Sequence, residues 1–201
     1  MKKGFLLIAF CALALMLIGC GSSQKVYRID ENTQTDVTGK WNDTDARLVA
    51  EEMVSDALSR PWLTRWVANN GEMPIVTVGT IRNMTSEHID TETFTTDFER
   101  ELLNSGNVRF VGSRDQRDEI RDERLDQRDF ASKETMKEIR NETGADFILL
   151  GAIKSIVDQS EKTKVVFYQT DLELINIETN EKVWIGTKKI KKEIGKDATK
   201  W

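Results

Sequence analysis

The sequence predicts an α/β (α+β) fold: a single small domain in which helices flank a mostly antiparallel sheet of about four strands. Three observations predict it. Apolar residues recur at helical spacing between residues 44 and 58. Runs rich in Val and Ile with period two occupy much of residues 147–190. The connections between the last three of these runs are too short for a crossover helix, so they form an antiparallel meander. The stretch after Cys20 is about 180 residues, enough for one domain with a sizeable core.

The elements follow in order. Residues 21–43 are polar, without helical periodicity, and read as a tether with one short extended piece around residues 26–29. Asp43 or Thr44 can cap a helix that places Leu48, Val49, Met53, Val54, Ala57 and Leu58 on its inner side and stops at Pro61. Trp62 and Trp66 follow, four apart, where one turn can show an aromatic patch or cover the edge of the core. Residues 75–81, after Pro74, read as a buried strand, and residues 82–90 as a polar loop. A helix over residues 91–104 carries Phe94, Phe98, Leu102 and Leu103 inward and closes at Ser105-Gly106. Residues 108–111 form a short strand. Residues 114–129 hold five arginines and seven carboxylates around Ile120 and Leu125. Arg117, Arg121, Arg124 and Arg128 share one helical face, either as a docking surface or as a solvated face held by its own ion pairs. Ser132 opens a further helix capped by Gly144. Residues 147–156, 164–177 and 182–190 are the meander, with a bulge expected near Gln169, and the chain beyond is a polar tail.

The N-terminus carries a different signal. Lys2 and Lys3 precede an apolar run over residues 5–18, too short to cross a bilayer comfortably, for which about 20 residues are needed. This is the pattern of a secretory signal peptide. Its end, Leu17-Ile18-Gly19-Cys20, resembles the lipobox of bacterial lipoproteins, so residues 1–19 are expected to be removed and Cys20 lipidated. Cys11, the other cysteine, would leave with the signal, and the mature chain would hold neither a disulfide nor a cysteine-based metal site. Losing Lys2 and Lys3 takes the net charge from −5 to −7. That acidity opposes nucleic-acid binding and a polybasic membrane-surface role.

Catalytic motifs are sparse. His88, the sole histidine, lies beside Glu87 in a loop without a nucleophile, and reads more simply as a hydrogen-bonded loop residue. There is no P-loop, H-E-x-x-H or EF-hand loop, so no catalytic, cofactor or metal residue is assigned. Candidate partner-binding residues are Trp62, Trp66, Asn83, Thr85, His88 and the four arginines 117, 121, 124 and 128; Asn83 and Thr85 sit at a sheet end, where loops carry function.

Several stretches together carry a resemblance: Trp41-Asn42-Asp43-Thr44-Asp45, Ser59-Arg60-Pro61-Trp62-Leu63, residues 76–85 followed by Glu87-His88-Ile89-Asp90, Gly144-Ala145-Asp146-Phe147, and residues 178–184 ending in Trp184. The set resembles the penicillin-binding protein activator LpoB family. The resemblance implies a fold similar to the TolB N-terminal domain and a non-enzymatic outer-membrane lipoprotein facing the periplasm. It also implies a class A penicillin-binding protein as partner, stimulated in peptidoglycan synthesis, with no cofactor beyond the lipid on Cys20. The expected organisation is a signal over 1–19, lipidated cysteine and tether over 20–43, globular domain over 44–192 and tail over 193–201, in a monomer. Unlike enteric members, this chain has no proline in its tether, whose roughly 22 residues span at most about 75 Å. The alternative is a structural lipoprotein of an envelope assembly or curli-type export apparatus.

Overall fold

The computed structural model describes residues 26–30, 32–138 and 142–195. The signal segment, Cys20, the start of the tether and residues 196–201 lie outside the described residues. Residues up to Thr33 form a unit of their own. In it Asp30 makes an Asx turn, its Oδ1 accepting the Asn32 N–H at 2.8 Å.

The second unit begins at Gln34 and contains the domain. Helix α1 is Asp43–Ser59, and its cap is Asn42 rather than Asp43 or Thr44. Asn42 Oδ1 accepts the Asp45 N–H at 3.1 Å while Asp45 Oδ2 accepts the Asn42 N–H at 3.0 Å, a reciprocal capping box. Its inner stripe is Ala46, Val49, Ala50, Met53, Val54 and Ala57, small enough to bring the helix close to its neighbours; Leu48 points outward. Pro61 stops α1 and also starts α2, Pro61–Asn70, where its missing N–H costs nothing. Strand β1 is Ile75–Met84, α3 is Thr91–Asn104, β2 is Arg109–Phe110 and α4 is Arg114–Phe130. Strands β3 (Phe147–Gln159), β4 (Thr163–Asn176) and β5 (Lys182–Gly195) complete the chain.

The sheet has five strands in the order β2-β1-β3-β4-β5, one more than about four. Strand β1 runs parallel to β2 and β3, and the long β3–β4–β5 meander is antiparallel. β1 outlasts the expected strand because Arg82, Asn83 and Met84 pair with Ala152, Ile153 and Lys154. One face of the sheet meets α1 and α3, where Phe94, Phe98, Leu149, Ile153, Leu172 and Trp184 are buried. Leu103, expected inside, is exposed on the far side of α3.

Three further expectations differ. β4 needs no bulge at Gln169: Val166, Tyr168, Thr170, Leu172 and Leu174 alternate without a break against β3, and its register shift lies at Leu174/Ile175 against β5. No helix forms over residues 132–138, only a turn in which the Ser132 carbonyl accepts the Thr135 and Met136 N–H groups. Met136 is the sole apolar side chain in the last part of that stretch, too little to hold a helix by packing; residues 139–141 lie outside the described residues. Strand β5 runs past its expected end at residue 190 and takes in 193–195 of the expected tail, with Ile190, Lys192 and Ile194 sharing the inward side.

Residues 34–42, read from sequence as tether, are held against the domain. Lys192 Nζ donates to Asp36 Oδ1 and Asp45 Oδ2, both at 2.6 Å, and to the Lys40 carbonyl at 3.1 Å. Gly39, at φ +67°, lies so close to Ile194 that a Cβ would overlap it. Trp41 packs edge-on against Tyr168, ring centroids 5.6 Å apart.

Candidate functional site

The strap that ends at Trp41 meets the loop at the end of β1, and the two share one carboxylate. Asn83 organises the loop. Its Oδ1 accepts the Thr85 N–H at 2.9 Å and the Thr85 hydroxyl at 2.8 Å, and its Nδ2 donates to the Glu87 carbonyl at 2.8 Å. Thr85 Oγ1 in turn accepts the Glu87 N–H at 3.1 Å. These short-range bonds replace the ladder bonds that β1 loses when it leaves the sheet. They also turn the Glu87 side chain inward, where Oε2 accepts the Trp41 N–H at 3.1 Å and the Tyr168 hydroxyl at 2.8 Å. Tyr168 is wholly buried, and burial first, then the bond to Glu87, pushes its phenol far above the ordinary tyrosine range. Asp90 closes the loop by capping α3, its Oδ1 accepting the Glu92 N–H at 2.9 Å.

The result is a braced loop with an exposed outer surface. Asn83 and Thr85 build it, while His88, Ser86, Arg82 and Met84 stand in solvent. The sequence singled out three members, Asn83, Thr85 and His88. It missed Glu87, Trp41 and Tyr168, because the contacts that join them span 46 and 81 positions of chain.

The other candidate residues are placed elsewhere. Trp62 is a core residue: its indole N–H donates to the Ala57 carbonyl at 2.8 Å and its ring meets Phe147 edge-on at 5.3 Å. Trp66 also meets Phe147 edge-on, at 4.9 Å, but is only half-buried and lines a surface groove of about 610 Å³. On α4, Arg117, Arg121 and Arg124 are half-buried and Arg128 is exposed. Arg121 Nη2 and Arg124 Nη1 converge on Glu142, at 2.8 and 3.3 Å, and Arg121 also meets Asp118 at 2.6 Å. The Arg121 hydrogen bond holds the Glu142 carboxyl below its ordinary value. Three of the four arginines therefore line the less exposed side of a helix that buries no residue fully.

The domain holds one further polar centre, on the open face of the sheet. Asp171 accepts from Lys154 Nζ at 2.9 Å, Thr187 Oγ1 at 2.8 Å and Gln169 Nε2 at 2.8 Å. Burial opposes its charge, yet these donors hold its carboxyl below the ordinary range. Among the described residues no group of three or more His, Cys, Asp or Glu side chains could hold a metal ion, and no helix is long and apolar enough to cross a membrane.

Residues 45–190 match the family model of the peptidoglycan-synthase activator LpoB. Among solved structures, the LpoB C-terminal domain from Escherichia coli is 14% identical, covering 65% of this chain and 93% of that one at a TM-score of 0.37. The corresponding domain from Salmonella enterica is 15% identical, covering 65% and 93% at 0.34. The lipoprotein GNA1162 from Neisseria meningitidis is 11% identical, covering 63% and 88% at 0.37. No curated protein matches the chain.

Proposed function

This chain belongs to the peptidoglycan-synthase activator LpoB family, and on that premise we propose that it binds and stimulates a bifunctional class A penicillin-binding protein. In this reading residues 1–19 are a signal peptide, Cys20 carries the acyl chains, and the domain works from the periplasmic side of the outer membrane. It needs no cofactor and catalyses nothing itself. Two acyl chains or more are required for stable anchoring.

The braced loop over residues 83–88 carries the docking proposal. A binding surface gains affinity when its side chains are ordered before the partner arrives, because less conformational freedom is lost on binding. Asn83 and Thr85 supply that order through bonds of 2.8–2.9 Å, leaving His88, Arg82 and Met84 to make contact. Binding energy then favours an active synthase conformation, by as much as the domain discriminates between the two states.

The test is direct. Full-length protein in detergent is mixed with purified class A synthase, and complex formation and the rate of glycan polymerisation are measured. A complex with a raised rate supports the proposal. No complex and an unchanged rate refute it.

A further inference from the structure

Helix α2 presents Trp62, Arg65, Trp66 and Asn69 at i, i+3, i+4 and i+7, one helical face. All four line the groove of about 610 Å³, Trp62 from the core side, together with Phe147 and, where β4 passes into β5, Asn176, Glu181 and Lys182.

Lys182 is paired with Glu173 at 2.8 Å, while the other polar groups keep bonding capacity. Arg65 has no carboxylate within 4.0 Å among the described residues, and the Asn69 side chain makes no hydrogen bond. Asn176 Oδ1 already accepts the Glu178 and Thr179 N–H groups, both at 2.9 Å, which leaves its Nδ2 to donate. Glu181 Oε2 accepts the Thr179 hydroxyl at 3.2 Å, and its second oxygen has no partner among the described residues. The indole Nε1 of Trp66 is buried and has no acceptor among the described residues, so the exposed part of this half-buried ring is carbon.

An aromatic carbon surface ringed by amides, a guanidinium and a carboxylate in an open trough matches a pyranose. The C–H face of a sugar packs on the ring, while hydroxyls and acetamide groups pair with planar polar side chains. An acyl chain would need an enclosed apolar cavity instead. The uncompensated Arg65 adds a preference for a carboxylate, which it can hold bidentately. We propose that this groove binds a carboxylate-bearing N-acetylated amino sugar of glycan from which the stem peptide has been removed, where the lactyl carboxylate is free for Arg65. The choice of that sugar rests on the reading that the protein acts in peptidoglycan synthesis. The activator would then sense peptide-free glycan, at a site separate from the 83–88 loop.

The test titrates the full chain in detergent with two probes: the disaccharide of N-acetylglucosamine and N-acetylmuramic acid, and uncharged chitobiose. The readout is the indole N–H resonance of Trp66, assigned by its loss in Trp66→Phe. The acidic disaccharide is expected to shift it saturably, with a Kd on the order of 1 mM, and chitobiose to bind roughly tenfold more weakly. Arg65→Gln, an exposed change that leaves the core intact, is expected to bring the two sugars to equal affinity. Trp66→Ala, which lacks that resonance and is read by saturation-transfer signals of the sugars, is expected to remove binding of both, with circular dichroism confirming the fold. Absence of a saturable shift, equal binding of both sugars by the unmodified protein, or indifference to Arg65→Gln overturns the proposal. Synthase stimulation is assayed separately. Sugar binding without stimulation removes the activator reading and keeps the groove; stimulation without sugar binding does the reverse.

Discussion

Replacing Lys192 with methionine tests how the strap is held. The substitution keeps the length of the side chain and removes only the ammonium. In the native protein that ammonium lies 2.6 Å from both Asp36 Oδ1 and Asp45 Oδ2, with the Lys192 and Asp45 side chains 11% and 5% exposed. Burial alone would lower the lysine pKa, but its bonds to Asp36 and Asp45 outweigh that and raise it. Lys192→Met leaves Asp45 buried without a cation, and breaking a buried pair from one side costs about 3–5 kcal/mol. Asp36 is more exposed and will rehydrate, so about 3 kcal/mol is expected. For a domain of this size that corresponds to a melting temperature lower by roughly 6–12 °C. Lys188→Met is the control. Lys188 shares the strand and the inward side, but its partner Glu52 is largely exposed, and such a pair is worth about 0–1 kcal/mol.

The pH dependence of the loss has a definite sign. In the native protein the raised Lys192 pKa contributes stability that is complete below 10.5 and fades as pH rises through the folded value. Asp36, lowered chiefly by its bond to Lys192, contributes above 3.8 and loses that contribution as pH falls through its folded value. Burial already raises the Asp45 carboxyl in the native protein against the pull of Lys192, and losing that ammonium is expected to raise it further, so the penalty is full at neutral pH and shrinks on acidification as the carboxyl protonates. Denaturant melts at pH 7 and pH 5 measure the loss and its decrease as Asp45 protonates, since the Lys192 and Asp36 contributions are both complete across that window. A loss within about 1 kcal/mol of the Lys188→Met loss, or a gap that widens toward pH 5, would refute the clamp.

Gly39→Ala places a side chain at φ +67° against Ile194 and is expected to cost about 1–3 kcal/mol; an unchanged urea midpoint would contradict this. Tyr168 should stay protonated well past pH 10 in the folded protein, followed by ultraviolet absorbance; ionisation near 10 before unfolding would show that its hydroxyl is not held by Glu87. Glu87→Ala leaves the Tyr168 hydroxyl and Trp41 N–H without their acceptor, for an expected loss of about 2–4 kcal/mol by chemical denaturation, with a loss under about 0.5 kcal/mol counting against the shared carboxylate. Asn83→Ala should weaken synthase binding at least fivefold while leaving the melting temperature within a few degrees, and unaltered binding would move the docking surface away from the loop.

Helix and strand identities were legible wherever a period was uninterrupted. Val49, Met53, Val54 and Ala57 mark α1, Phe94, Phe98 and Leu102 mark α3, and the alternation from Val166 to Leu174 marks β4, because the period of apolar residues follows the geometry of one element. The last turn of β5 was missed because Lys191, Lys192 and Glu193 look like a solvated tail. A lysine can occupy an inward position when its stem lies along apolar surface and its ammonium finds carboxylates, and Lys192 does so with Asp36 and Asp45 from distant parts of the chain. Over residues 132–138 the helix expected after Ser132 does not form, for the opposite reason: Met136 stands there as a single apolar side chain among polar ones.

What the sequence by itself determined was the class of fold, the family and the loop residues Asn83 and Thr85, all of them properties carried by local spacing or contiguous motifs. Tertiary structure decided what those residues are attached to. Glu87 binds Trp41 and Tyr168 across 46 and 81 positions, Lys192 closes a strap begun more than 150 positions earlier, and of the two groove tryptophans Trp62 is buried while Trp66, four residues on, is half-exposed. Such pairings depend on which strands become neighbours and how the chain returns to them, and side-chain periodicity along one element holds no information about that.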